Sequence, residues 1–248
     1  MNVQTERLTL SGAAGAIEAA RDAASLPDGA APRGVAILAH PHPLFGGTMD
    51  NKVVQTLARA FTQCGWTTVR FNFRGVGASA GVHDEGRGEL QDLLAVVQQV
   101  APQGPIALAG FSFGAFVTSH ALAALWGERE VAQAVLVGTA ASRFTVAPVP
   151  PEAHLRTLVL HGELDDTVPL SAVLDWARPQ ILPVTVVPGG GHFFHGQLTL
   201  LKNLVVRHLQ SGRCSLGRCG GCAPQAAFSG FTFCVFLSPG LAPHFSAP

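Results

Sequence analysis

The stretch PIALAGFSFGAFVTSHALAAL, residues 105–125, decides the fold of this chain. PIALAGF is an apolar run, as in a strand buried on both faces. FGAFVTSHALAAL, from Phe113 on, has the length and composition of a helix. Between the two stands Ser112, with Gly110 and Gly114 two residues away on either side. A strand that passes into a helix over one residue leaves no room for side chains beside the turn, and glycine removes them. A serine on such a turn occupies strained backbone and lifts its hydroxyl above the sheet. Gly-x-Ser-x-Gly alone is a weak signal. The strand before it and the helix after it make Ser112 a candidate nucleophile.

The same alternation runs along the chain. Residues 2–10 and 15–21 read as an opening hairpin, and GVAILAH (34–40) as a strand buried on both faces. Met49 to Cys64 carries Val53, Val54, Leu57, Ala60 and Phe61 at helical spacing and ends at Gly65. WTTVRFNF (66–73), QAVLVGTA (133–140), RTLVLHG (156–162) and PVTVVPG (183–189) are further strands. Helices are expected over 88–100, 170–178 and 197–210. Such alternation predicts an α/β fold, a mostly parallel sheet with helices on both faces. In that architecture ligands bind beyond the carboxyl ends of the strands. Residues 141–155 are the one excursion long enough for a lid, and they are short and proline-rich.

Composition narrows the function. Hydrophobic residues make up 48 % and charged residues 13 % of 248, so a large core can form and general disorder is excluded. Sixteen basic and sixteen acidic side chains cancel. That balance argues against nucleic acid or an anionic membrane as partner. The start, MNVQTERLTL, lacks a basic region followed by an apolar run, and no apolar stretch of about 18 residues exists. A soluble cytoplasmic protein, monomer or homodimer, is expected. Cys214, Cys219, Cys222 and Cys234 crowd a tail that turns to Gly, Ser, Pro and Phe. Its CGGC lacks a second matching pair, so no zinc site is predicted. The domain boundary is placed at 210, with 211–248 an irregular appendage.

A nucleophilic serine needs a base, and the base needs an orienting acid. Both are expected downstream, acid first. HGELDDTVP follows one strand and offers Asp165, with Asp166 and Glu163 as alternatives. GGGHFFHG follows another and offers His192, with His195 as competitor. An oxyanion hole needs two donors. Phe113 N–H is one. In the loop HPHPLFGGTMDN, Pro41 and Pro43 cannot donate, which leaves His42, favoured, or Leu44. Phe45, Phe111, Phe113 and Phe193 are candidate walls for an apolar acyl group. His40, His42 and Asp50 lack a convincing metal-ligand spacing, and no metal or cofactor is predicted. GVGAS (75–79) is read as a turn, and Arg74 as the partner of a carboxylate.

In order, HPHPLFGG, RFNFRGVGASAG, GFSFGAF, HGELDDTVP and GGGHFFHG resemble the small bacterial α/β-hydrolases of esterase type. The resemblance covers residues 5–210. It implies the α/β-hydrolase fold with a minimal lid, Ser112 as nucleophile, Asp165 as acid and His192 as base. It implies cleavage of simple esters, a small-molecule substrate. The same residues could also serve acyl transfer, thioester or peptide cleavage, and a non-catalytic binding protein could share the fold. The family's chain stops near Leu209, so the tail is a departure from it.

Overall fold

The computed structural model describes residues 5–211. The expectation for the cysteines of the tail lies outside the described residues. Among the described residues, eight strands form one sheet: β1 (Glu6–Gly12), β2 (Gly15–Asp22), β3 (Val35–Ala39), β4 (Thr67–Phe71), β5 (Ile106–Phe111), β6 (Val131–Val137), β7 (Thr157–Gly162) and β8 (Val184–Val187). Five α-helices are interleaved with them: α1 (Lys52–Gln63), α2 (Arg87–Val100), α3 (Phe113–Leu125), α4 (Leu170–Ala177) and α5 (Leu198–Ser211). The strand order is β1-β2-β4-β3-β5-β6-β7-β8. β2 pairs antiparallel with β1 and with β4, and all other pairings are parallel.

Strand periodicity splits the core into two layers. In β5, Ile106 and Leu108 join the layer built by Leu93 and Val97 of α2, Val117 and Leu122 of α3, and Val173 of α4. Ala107, Ala109 and Phe111 join the opposite layer, with Leu57 and Phe61 of α1 and Leu201, Val205 and Leu209 of α5. Each large apolar side chain so buried contributes about 1.5–3 kcal/mol relative to exposure.

Several boundaries differ from the sequence pattern, β6 covering Val131–Val137 instead of 133–140 and β8 Val184–Val187 instead of 183–189, and two of the shifts have a local cause. β4 ends at Phe71 instead of Phe73: the Asn72 N–H still reaches the Glu18 carbonyl of β2 at 2.8 Å, and the chain leaves the ladder at the residue after it. The Phe73 N–H donates to His40 Nε2 at 2.9 Å. α1 starts at Lys52 instead of Met49, because Asn51 caps it through Oδ1, which accepts the Val53 N–H at 2.9 Å. Arg74 does pair with a carboxylate: its guanidinium holds both oxygens of Asp92 on α2, at 2.8 and 2.9 Å. Among the described residues, no helix is long and apolar enough to cross a membrane.

β3, β5, β7 and β8 run parallel, so the turns that follow them open at one edge of the sheet. Those turns carry His42, Ser112, Asp165 and His192.

Candidate active site

Ser112 links β5 to α3 with φ 57° and ψ −117°. A non-glycine residue there stores strain of about 1–3 kcal/mol. Its N–H donates to the Val137 carbonyl of β6 at 2.8 Å, which fixes the turn. The flanking glycines are demanded by close approach. A Cβ on Gly110 would lie 2.3 Å from the Gly114 carbonyl oxygen, and one on Gly114 would lie 2.4 Å from that of Ala39. α3 is thereby pressed against β3 and β5, with Ser112 at its head.

Three side chains from three turns meet. The Ser112 hydroxyl donates to His192 Nε2 at 3.0 Å, and His192 Nδ1–H donates to Asp165 Oδ2 at 2.7 Å. Asp165 Oδ1 accepts the backbone N–H groups of Thr167 and Val168, at 3.0 and 2.7 Å. Burial would raise the Asp165 carboxyl. The hydrogen bonds from His192 and the Val168 N–H, with the charges of His192 and His161, outweigh it and hold the group below the usual carboxylate range. The competitors are placed elsewhere. Asp166 is exposed and accepts the Thr167 hydroxyl at 3.3 Å. Glu163 accepts the Gly189 N–H at 2.9 Å, and His195 is exposed beside Phe193.

One histidine had escaped the sequence pattern. His161, inside β7, is fully buried, and its Nε2–H donates to the Val168 carbonyl at 2.9 Å. The same nitrogen lies 3.5 Å from Asp165 Oδ2. Burial, foremost, holds His161 below the usual histidine range. The available signal was a polar ring in a strand that is otherwise apolar, since a buried polar group needs partners.

Phe113 is the first residue of α3, where a helix N–H has no partner within the helix. His42 precedes a 3-10 turn, and its Nδ1 accepts the Leu44 N–H at 3.2 Å. Of the two donors left open by the prolines, Leu44 is thus engaged inside its own loop. Ser112 and His192 open into a cavity of about 330 Å³. Phe45 and Phe193 line it, at 74 % and 42 % exposure. Phe111 does not, which corrects the sequence expectation. As the last residue of a strand covered on both faces, it is fully buried, with its ring centroid 4.9 Å from that of His192. Phe113 is likewise buried, 4.9 Å from the His42 ring. Asn51, Arg143 and Thr167 complete the walls and had not been foreseen.

A family model described as serine aminopeptidase, S33, matches residues 30–159. A solved α/β serine hydrolase without a lid from Xanthomonas campestris is 38 % identical. That match covers 85 % of this chain and 96 % of the other, with a TM-score of 0.75. An α/β serine hydrolase homologue from Coxiella burnetii is 40 % identical over 82 % of this chain and 97 % of its own, with a TM-score of 0.69. An uncharacterized protein of Rickettsia prowazekii is 42 % identical over 87 residues, 34 % of this chain. The chain spans 37 % of the length of that curated relative. With the parallel sheet, the strained serine turn and these similarities together, the chain belongs to the α/β-hydrolase superfamily, among its serine hydrolases.

Proposed function

We propose that the protein is a serine carboxylesterase acting on short-chain esters through an acyl-enzyme. One observation carries this reading: the unbroken line from Ser112 Oγ through His192 to Asp165, open to a cavity. Ser112 Oγ attacks the ester carbonyl as His192 Nε2 takes its proton. Asp165 keeps the Nδ1–H tautomer and stabilises the imidazolium. The N–H groups of Phe113 and His42 receive the oxyanion. The tetrahedral adduct collapses, His192 protonates the departing alcohol, and the acyl group stays on Ser112. Water, deprotonated by His192, repeats the attack and releases the acid.

Peptide cleavage is the rival that the name of the matching family raises. An aminopeptidase must hold a substrate ammonium group, for which a carboxylate is the natural partner. Among the described residues, no aspartate or glutamate lines the Ser112 cavity, and the charged side chain that does is Arg143. That disfavours an N-terminal amine and favours an ester.

A panel of p-nitrophenyl esters tests the proposal, with leucine p-nitroanilide as the aminopeptidase control. A cavity of this size predicts the highest kcat/KM at about two to six acyl carbons. Turnover of the anilide above that of the acetate ester, or a rate climbing steadily to long chains, would contradict it.

A further inference from the structure

Resting on that esterase reading, we infer that the Ser112 cavity selects esters that also carry a carboxylate, with Arg143 as the specificity-determining residue. Arg143 follows β6 and lines the cavity that holds Ser112 and His192. It also lines an adjoining cleft of about 730 Å³. The two hollows share His42, Phe45 and Arg143, so Arg143 lies at their junction.

Its charge is uncompensated. Arg70, Arg74 and Arg178 each have a carboxylate within 3.3 Å, whereas no ion pair of Arg143 occurs among the described residues. Its guanidinium carbon lies over the Phe45 ring, 6.0 Å from the centroid. Asp165 cannot neutralise it, being buried behind His192. The field reaches the oxyanion loop: burial, then the charges of His83 and Arg143, hold His42 below the usual histidine range. Asn51, also in the cavity wall, has its Oδ1 engaged by the Val53 N–H, which leaves Nδ2 as a donor.

A cavity with a free planar cation and a spare amide donor, and with no carboxylate among its described lining residues, suits an anionic acceptor. The adjoining cleft adds an apolar floor, where the Phe116 and Phe144 rings stack 4.7 Å apart at 16°. Its carboxylate, Glu85, is exposed and lies 3.9 Å from Arg87. The substrate class is therefore an ester and a carboxylate joined by an apolar spacer, as in a monoester of a dicarboxylic acid.

The test compares monoethyl adipate with its carboxamide isostere, ethyl 5-carbamoylpentanoate, by ethanol release from the full chain. The wild type should favour the acid in kcat/KM by about tenfold at low salt, and by less at about 0.5 M NaCl. Arg143→Gln should bring the ratio close to one, Arg143→Lys should keep part of it, and Arg143→Glu should invert it. A wild-type ratio within about twofold of one, the worth of a weak exposed pair, overturns the inference, as does a preference that survives Arg143→Gln. If the wild type cleaves p-nitrophenyl acetate yet shows no preference, the inference alone fails. If it cleaves no ester at all, the esterase reading fails with it.

Discussion

His161 Nε2 lies 3.5 Å from Asp165 Oδ2, the same oxygen that receives the Nδ1–H of His192 at 2.7 Å. Asp165 is thus fixed from three directions, by two imidazoles and by the Thr167 and Val168 amides. Replacing His161 with leucine keeps the volume and removes the ring that faces the acid. With one donor near a charged group lost, kcat for p-nitrophenyl acetate should fall about tenfold. An unchanged kcat in a variant of unchanged melting temperature would show that His161 only fills β7.

The neighbouring aspartates make a sharper comparison. Asp165→Asn removes the acceptor that sets the His192 tautomer, and kcat should fall by about 10³ or more. Asp166→Asn alters an exposed side chain and should stay within about threefold. Steady-state rates for the two variants, measured side by side, check the order. The reverse ranking would displace Asp165 as the orienting acid.

A pH effect on stability follows from His40. Its Nδ1–H donates to the Pro41 carbonyl at 2.6 Å and its Nε2 accepts the Phe73 N–H at 2.9 Å, so a second proton would face a donor. Burial lowers its pKa to about 4. The unfolded chain binds this proton from near pH 6.5 downward and the folded chain only near 4, so stability is lost on acidification across that window. The loss from this residue is roughly 3 kcal/mol, taking about 1.4 kcal/mol for each tenfold change in proton affinity. Urea denaturation at pH 7 and pH 4.5 measures it, and His40→Gln should flatten the difference. An equal slope in wild type and variant would contradict the assignment.

Much of this architecture was legible because it depends on local pattern. Apolar runs that end in Gly-x-Ser-x-Gly, HGELDDTVP and GGGHFFHG placed Ser112, Asp165 and His192 at strand ends, and the parallel sheet brought those ends together. Other features needed the third dimension. Phe111 and Phe193 look alike in sequence, yet one ends a strand between two helical layers and the other sits in an open loop. Asn51 falls, in sequence, inside a helix expected to start at Met49; the folded chain makes it the cap of α1 and also a wall of the Ser112 cavity. Arg143 lies in an irregular segment where no period says which way a side chain points. His161 sat in plain view within RTLVLHG, but nothing local names Asp165 as its neighbour.

The central claim is that Ser112 is an activated nucleophile, and intact-protein mass spectrometry after a fluorophosphonate probe tests it most directly. The account predicts one adduct per chain, mapped to the peptide that contains Ser112. Labelling should vanish in Ser112→Ala and slow by orders of magnitude in His192→Ala, as expected when a triad acts as one unit. An unlabelled wild type, or an adduct that persists in Ser112→Ala, would contradict it.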